Sequence, residues 1–243
     1  MKITITVNKH EVDNLRGFAN IKFDESYALE NVKIKESQNG LLYVEMPRYK
    51  RTGRDGETEY RDVFHPISAD MRKAFNEAIM SAYSQANDKA KVFAFEYGSE
   101  PLVVSRVSTH LYEKDALKAF SNVVFKQGFA LENAKVKHSS QSGNLFIDLP
   151  KYKNAAKDES GNLQKDENGD TLYAYRDCFH PISKDAYNTL SSAIIEAYEQ
   201  KLSQNQFTQI TAAEQAVALD IGNLADYEEY TDFNDIDTGV GRK

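Results

Sequence analysis

The strongest constraint on this chain is that much of it is written twice. "EYRDVFHPIS" (59–68) and "AYRDCFHPIS" (174–183) agree at eight of ten positions, 115 residues apart. Upstream, "LRGFANIKFDESYALENVKIK" (15–35) aligns without gaps on "LKAFSNVVFKQGFALENAKVK" (117–137). "GLLYVEMPRYK" (40–50) matches "GNLFIDLPKYK" (143–153), and "AFNEAIMSAYSQ" (74–85) matches "TLSSAIIEAYEQ" (189–200). A unit of about 85 residues is too long for a solenoid repeat and long enough for a small domain. The reading is two domains, 1–86 and 99–204, with a linker at 87–98 and a tail at 205–243.

Within each copy the hydrophobic periods are legible. Residues 2–8 and 17–23 alternate or run apolar, as strands do. "YALENVKIK" continues as a third strand, with a slip in register near Asn31. In the next segment Leu42, Val44 and Met46 point one way, and the second copy keeps that split with Leu145, Ile147 and Leu149. A face that repeats under changed letters is a buried face. Pro47 and Pro150 end these strands, because proline donates nothing to a ladder.

After the quoted string the period becomes 3.6. Met71, Ala74, Phe75, Ala78, Ile79, Ala82 and Tyr83 form one helical stripe, and Ala186, Leu190, Ala193, Ile194, Ala197 and Tyr198 repeat it. Ser68 and Ser183 stand where N-caps belong, with Asp70 and Asp185 in the first turns beside the positive dipole end. Each copy is therefore an antiparallel sheet followed by one amphipathic helix, an α+β layer architecture.

The 243 residues hold 41% apolar residues, enough for real cores. The single cysteine, Cys178, excludes an internal disulfide and a cysteine-based zinc cluster and suits a reducing cytosol. "KITITV" after Met1 is a strand pattern and not a signal-peptide core, and no run approaches a membrane span, so the expectation is a cytoplasmic protein. The net charge of −7 is unevenly placed: the tail holds eight acids against Arg242 and Lys243, which leaves the rest near neutral. A near-neutral body can still carry a basic face.

The ordered set Asn39, Gly40, Met46, Pro47, Lys50, Arg51, Thr52, Asp55, Gly56, Arg61, Asp62, His65, Pro66 and Ile67 resembles the pattern of the stage V sporulation protein G (SpoVG) family. The second copy keeps Gly143, Pro150, Arg176, Asp177, His180, Pro181 and Ile182 and departs in the loop between. The resemblance implies a small, non-enzymatic, nucleic-acid-binding regulator of bacterial origin that acts as a dimer. With two copies in one chain, that dimer is expected to form internally, as a pseudo-dimer. The tandem arrangement suits a phage or mobile element as well as a chromosomal gene.

Two motifs invite a chemical reading. Asp62 with His65 has the residue types of an acid–base or metal pair. A triad needs a nearby nucleophile and a metal needs further ligands, and neither copy supplies them. The reading is structural: Arg61–Asp62 and Arg176–Asp177 pair with backbone or each other, while His65-Pro66 and His180-Pro181 shape the entry to each helix. No catalytic residue, metal or cofactor is expected.

The loop "RYKRTGRDGETEYR" offers Arg48, Lys50, Arg51, Arg54 and Arg61 with Tyr49 and Tyr60 interleaved, and Arg72 and Lys73 extend that surface onto the helix. Such residues neutralise phosphates and stack on unpaired bases. In the second copy the loop is longer and its lysines are offset by Asp158, Glu159, Asp166, Glu167 and Asp170, and Tyr187 replaces Arg72. The first copy is thus expected to contact DNA or RNA while the second completes the pseudo-dimer. The spacing of acids and glycine over 158–170 lacks the ligand pattern of a calcium loop. In the tail, a helical portion over 208–219 precedes Tyr227, Tyr230, Phe233 and Ile236 among acids; disorder is one reading. The other is that residues 220–238 bind a protein partner or the basic surface.

Overall fold

A computed structural model of the chain describes residues 1–53, 55–86, 91–96, 98, 100–156, 158, 160 and 162–228, with backbone alone for 91–95 and 213–228. The first repeat runs β1 (Lys2–Val12), β2 (Leu15–Phe23), β3 (Tyr27–Glu36), β4 (Leu42–Glu45), the hairpin β5 (Arg48–Thr52) and β6 (Thr58–Asp62), β7 (Phe64–Pro66) and α1 (Ala69–Gln85). The segment read as a linker holds a strand, β8 (Lys91–Glu96), which pairs antiparallel with β1. The second repeat follows with β9 (Val104–Lys114), β10 (Leu117–Phe125), β11 (Phe129–His138), β12 (Leu145–Asp148), β13 (Lys151–Ala155), β14 (Tyr173–Asp177), β15 (Phe179–Pro181) and α2 (Lys184–Glu228). Both repeats lie in one compact unit, Met1–Glu199, and Gln200–Lys243 forms a second.

The expected sheets form, and each is completed by the other repeat. One sheet has the order β15-β3-β2-β1-β8 with β4 also on β3; the other has β12-β11-β10-β9 with β7 on β11. The free edge of β3 is therefore shared. Lys33–Glu36 pair with β4 of the same repeat, and Tyr27–Leu29 pair with β15 of the second. By the same arrangement β11 gives Lys135–His138 to β12 and Phe129–Leu131 to β7.

Asn31 and Asn133 mark the handover. Both sit in the left-handed region, at φ 60° and 63°, where asparagine is tolerated and most residues are not. The slip expected near Asn31 is this irregularity, and the side chains of Asn20 and Asn122 accept the backbone N–H it frees. The next ladder bonds cross between repeats: Glu30 N–H donates to the Cys178 carbonyl and Glu132 N–H to the Val63 carbonyl, each at 2.7 Å.

The two crossing strands meet in an aromatic core. Phe64 and Phe179, equivalent in the repeats and both fully buried, stack with centroids 4.5 Å apart and planes 9° apart. Phe23, Phe125 and Phe129 surround them, and Phe75 of α1 packs edge-on against Phe129 of the other repeat. Tyr27 stacks on Phe179 and its hydroxyl donates to the Ala186 carbonyl of α2.

The helices begin as expected. Ser68 accepts from Met71 N–H and Ser183 from Ala186 N–H. The buried stripe of α1 is narrower than the sequence pattern, being Phe75, Ile79 and Ala82. Leu42 is likewise 40% exposed, because β4 is short and lies at the sheet margin. The second helix does not stop near 204 but continues to Glu228, and its sequence has neither glycine nor proline before Gly222. Among the described residues no helix is long and apolar enough to cross a membrane.

Two phenols fasten the hairpins across the repeats. Tyr49 donates to Glu132 at 2.8 Å, and Tyr152 donates to Glu30 at 2.9 Å. Burial, and then the hydrogen bond to the carboxylate, pushes each phenol up to about 12.

If the crossing strands hold the unit together, Phe64→Ala or Phe179→Ala lowers stability by about 3–5 kcal/mol in chemical denaturation. The pair then shows a coupling of about 0.5–1.5 kcal/mol in a double-mutant cycle. Two separate transitions for the two repeats would contradict the shared core. A second expectation concerns pH. The folded phenol values stand above the ordinary 10.0. The stability the phenols contribute is therefore full below that pH and is lost as pH rises toward 12. Alkaline denaturation followed by circular dichroism should flatten in the double variant Tyr49→Phe/Tyr152→Phe; an unchanged alkaline limb would rule the two bonds out as its cause.

Candidate functional site

Strand alternation sorts the side chains of each hairpin into two faces. In the first, Arg48 pairs with Asp62, Lys50 with Tyr60 and Thr52 with Thr58 on one face; Tyr49 pairs with Arg61 and Arg51 with Glu59 on the other. Tyr49, on the second face, reaches Glu132 and so turns that face toward the other repeat. The second hairpin repeats the pattern, with Lys151 opposite Asp177, Lys153 opposite Tyr175 and Tyr152 opposite Arg176.

The first hairpin is less positive than its bases suggest. Arg48, Lys50, Arg51, Arg54 and Arg61 share residues 48–62 with Asp55, Glu57, Glu59 and Asp62. The strand register places acid against base. Glu59 accepts from Arg51 at 2.9 Å and Arg61 at 3.1 Å, and these two donors hold its carboxyl below the usual range. Asp62 accepts from Arg48 at 3.3 Å and from Arg72 at 2.8 Å. Arg48 also lies 3.7 Å from Glu45, and Lys73 lies 4.0 Å from Glu77. Lys50 is exposed and, among the described residues, outside every ion pair. Arg54 lies outside the described residues.

The second hairpin balances differently. Ala174 and Asn154 occupy the places of Glu59 and Arg51, so Arg176 is exposed with no ion pair among the described residues. Lys151 bonds to Asp148 and lies 3.5 Å from Asp177. The Lys153 ammonium sits 3.5 Å from the centroid of the Tyr173 ring, an attraction that leaves the charge uncompensated. In the inserted segment the Asp166 carboxylate accepts from Asn168 and Asp170 N–H, so it closes a turn.

Two rings stand out against this charge pattern. Tyr60 is 64% and Tyr175 is 66% exposed, and each faces a lysine across its hairpin. The sequence signal for both was the tyrosine kept before Arg-Asp in both strings.

The Asp and His of the repeated string do not meet. The Asp62 oxygens go to arginines, while the His65 ring lies between the Pro66 carbonyl at 3.0 Å and Glu132 at 3.3 Å. Arg61 bonds to Glu59, so of the two pairings expected of Arg61–Asp62, with backbone or with each other, the mutual one does not form. The Phe-His-Pro segments are more than corners: they are the strands that cross between repeats. His65 and Pro66 pair with Ala130 and Phe129, and His180 and Pro181 with Ala28 and Tyr27. Cys178, beside them, is buried, and that burial pushes its thiol up to about 12. Among the described residues no His, Cys, Asp and Glu side chains cluster as metal ligands. Of the tail segment 220–238, residues 220–228 are helix and 229–238 lie outside the described residues.

Sequence reasoning missed Lys33. It stands on β3 opposite Glu45, half-buried, yet Glu45 turns to Lys35 at 2.8 Å. Its only sequence signal was the lysine kept at the same place in both copies, Lys33 and Lys135.

Proteins of known sequence resemble parts of this chain. The SpoVG family model matches twice, over residues 1–85 and 102–200. A protein of Macrococcus caseolyticus named for septation, SpoVG, is 35% identical over 123 residues, half of this chain and 96% of that protein. Similarly named proteins of Alkaliphilus metalliredigens and Heliobacterium modesticaldum are 33% and 38% identical, over 38% and 35% of this chain and 91% and 93% of their own. No solved structure gives a significant match. With the family pattern filling both repeats and the repeats interlocked strand for strand, the chain belongs to the SpoVG family as a tandem duplication.

Proposed function

We propose that the protein is a nucleic-acid-binding regulator of the bacterial cytoplasm that works by contact alone, with no bond made or broken. Its interface is the hairpin Arg48–Asp62, with Tyr49 as the anchor that orients it, and the start of α1 at Arg72 and Lys73. The observation that carries this reading is the exposed Lys50–Tyr60 pair, matched in strand register by Lys153–Tyr175, where the Lys153 ammonium rests on the neighbouring Tyr173 ring. An exposed ring costs apolar hydration, and a ring beside an ammonium is the pairing that takes an unpaired base and its phosphate together.

The ion pairs of Arg51, Arg61 and Arg48 are compatible with that role. Exposed pairs are worth about 0–1 kcal/mol, so an arginine exchanges a carboxylate for a phosphate at small cost. Arg72, held at 2.8 Å by the more buried Asp62, gives up its partner less readily.

Labelled oligonucleotide titrated by fluorescence anisotropy tests this. Contacts with about three to five phosphates give a log–log salt slope of about −2 to −3.5 for a single strand. Lys50→Ala/Arg51→Ala should weaken binding for all sequences alike and make that slope shallower by about 1–2. Absence of binding at low salt, or an affinity indifferent to salt, would overturn the proposal.

A further inference from the structure

The two hairpins enclose a cleft of ≈ 540 Å³, to which the first repeat gives Lys33, Glu45, Arg48 and Tyr60 and the second gives Lys151 and Lys153. A second hollow of ≈ 410 Å³ shares Asn31, Lys33, Tyr152 and Lys153 with the first and reaches Asn8, Asn20 and Asn154. The shared residues make one groove, running from the exposed Tyr60 ring to a margin of carboxamides.

Four cations line the cleft against one carboxylate, Glu45, which is itself bound by Lys35. Arg48 and Lys151 are spent on Glu45, Asp62, Asp148 and Asp177. Lys33 and Lys153 have no carboxylate partner among the described residues, and both line both hollows. Lys33 is half-buried with no carboxylate beside it, and Lys153 is exposed with its ammonium against the Tyr173 ring. An anion that enters the groove meets two charges that no carboxylate neutralises. The groove is on the scale of a small-ligand site, which admits an unstacked base with its phosphate and excludes a duplex.

We infer that this groove is a single-stranded nucleic-acid subsite built by both repeats: Lys33 and Lys153 neutralise the backbone phosphate that enters it, and Tyr60 stacks on the adjoining base. The inference rests on the nucleic-acid reading above and adds to it the strandedness of the ligand and a direct share for the second repeat. Recognition of an unpaired strand by a ring and neighbouring cations needs no sequence readout.

The test uses the full chain and a fluorescein-labelled mixed-sequence oligonucleotide, once as a single strand and once as its duplex. Lys33→Gln/Lys153→Gln removes both charges and leaves a shorter, neutral polar side chain at each position. It is expected to weaken single-strand binding about tenfold or more and to make the salt slope shallower by about 0.7, with duplex binding weaker than single-strand binding throughout. Lys153 is exposed on its strand, so Lys153→Gln alone serves if the double variant fails to fold, with about half that change in slope. Single-strand affinity unchanged in the groove variants, while Lys50→Ala/Arg51→Ala weakens it, would overturn the groove and leave the nucleic-acid reading standing. A preference for the duplex would also overturn it. If the unaltered chain binds neither probe, both readings fall.

Discussion

The structure depends on the reciprocal exchange of two three-residue strands, Phe64–Pro66 and Phe179–Pro181. A strand edge is a row of unpaired donors and acceptors, and a fold must cover it or risk open-ended association. In each repeat the partner strand covers only the far half of the third strand, because the left-handed asparagine breaks the ladder midway. The near half is left for the other repeat. Neither repeat alone satisfies its own backbone, and the Phe64–Phe179 stack ties the two handovers into one core. The arrangement is isologous in kind: what the first copy does to the second, the second does to the first.

That exchange also determines where the hairpins go. Each hairpin precedes a crossing strand, so it is carried over the sheet of the opposite repeat and fastened there by a tyrosine on a glutamate. The groove between the hairpins therefore takes Lys33 from one copy and Lys153 from the other. A single separated repeat would have no such groove. Here the link between sequence and site passes through the pairing of the halves and not through either half.

Much of the fold was legible because it is local. Alternation in residues 2–8, the capping serines Ser68 and Ser183, and the stripe Phe75–Ile79–Ala82 depend on neighbours within a few residues. The crossing was not legible, since the period of Phe64 and Pro66 says which face is buried and never which sheet the strand joins. The charge balance of the basic loop was not legible for a related reason. Counting arginines ignores register, and register sets Arg51 against Glu59 and Arg48 against Asp62. The long second helix was underread, although its glycine- and proline-free run after Tyr198 carried the signal.

Fusing two copies changes what substitution can do. In a dimer of separate chains every replacement appears twice about the axis, so a change that suits one side must be borne by the other. In one chain the copies are released from each other. Where the first copy has Glu59, Arg51, Arg72 and Val63, the second has Ala174, Asn154, Tyr187 and Cys178. The buried letters Phe64 and Phe179, which both copies must supply to the shared core, have stayed the same. The copies thus differ in exposed charge and at some buried positions, Val63 against Cys178 among them, while the Phe-His-Pro letters of the exchanged strands are the same in both. The covalent link makes this tolerable, because the second half is always present at high effective concentration and a modest loss at the interface does not separate the pair. The strand Lys91–Glu96 strengthens the point: the connection is itself laid along β1 as part of a sheet. A chain so built can keep one symmetric frame while giving its two hairpins different charge, which a symmetric pair of separate chains cannot do.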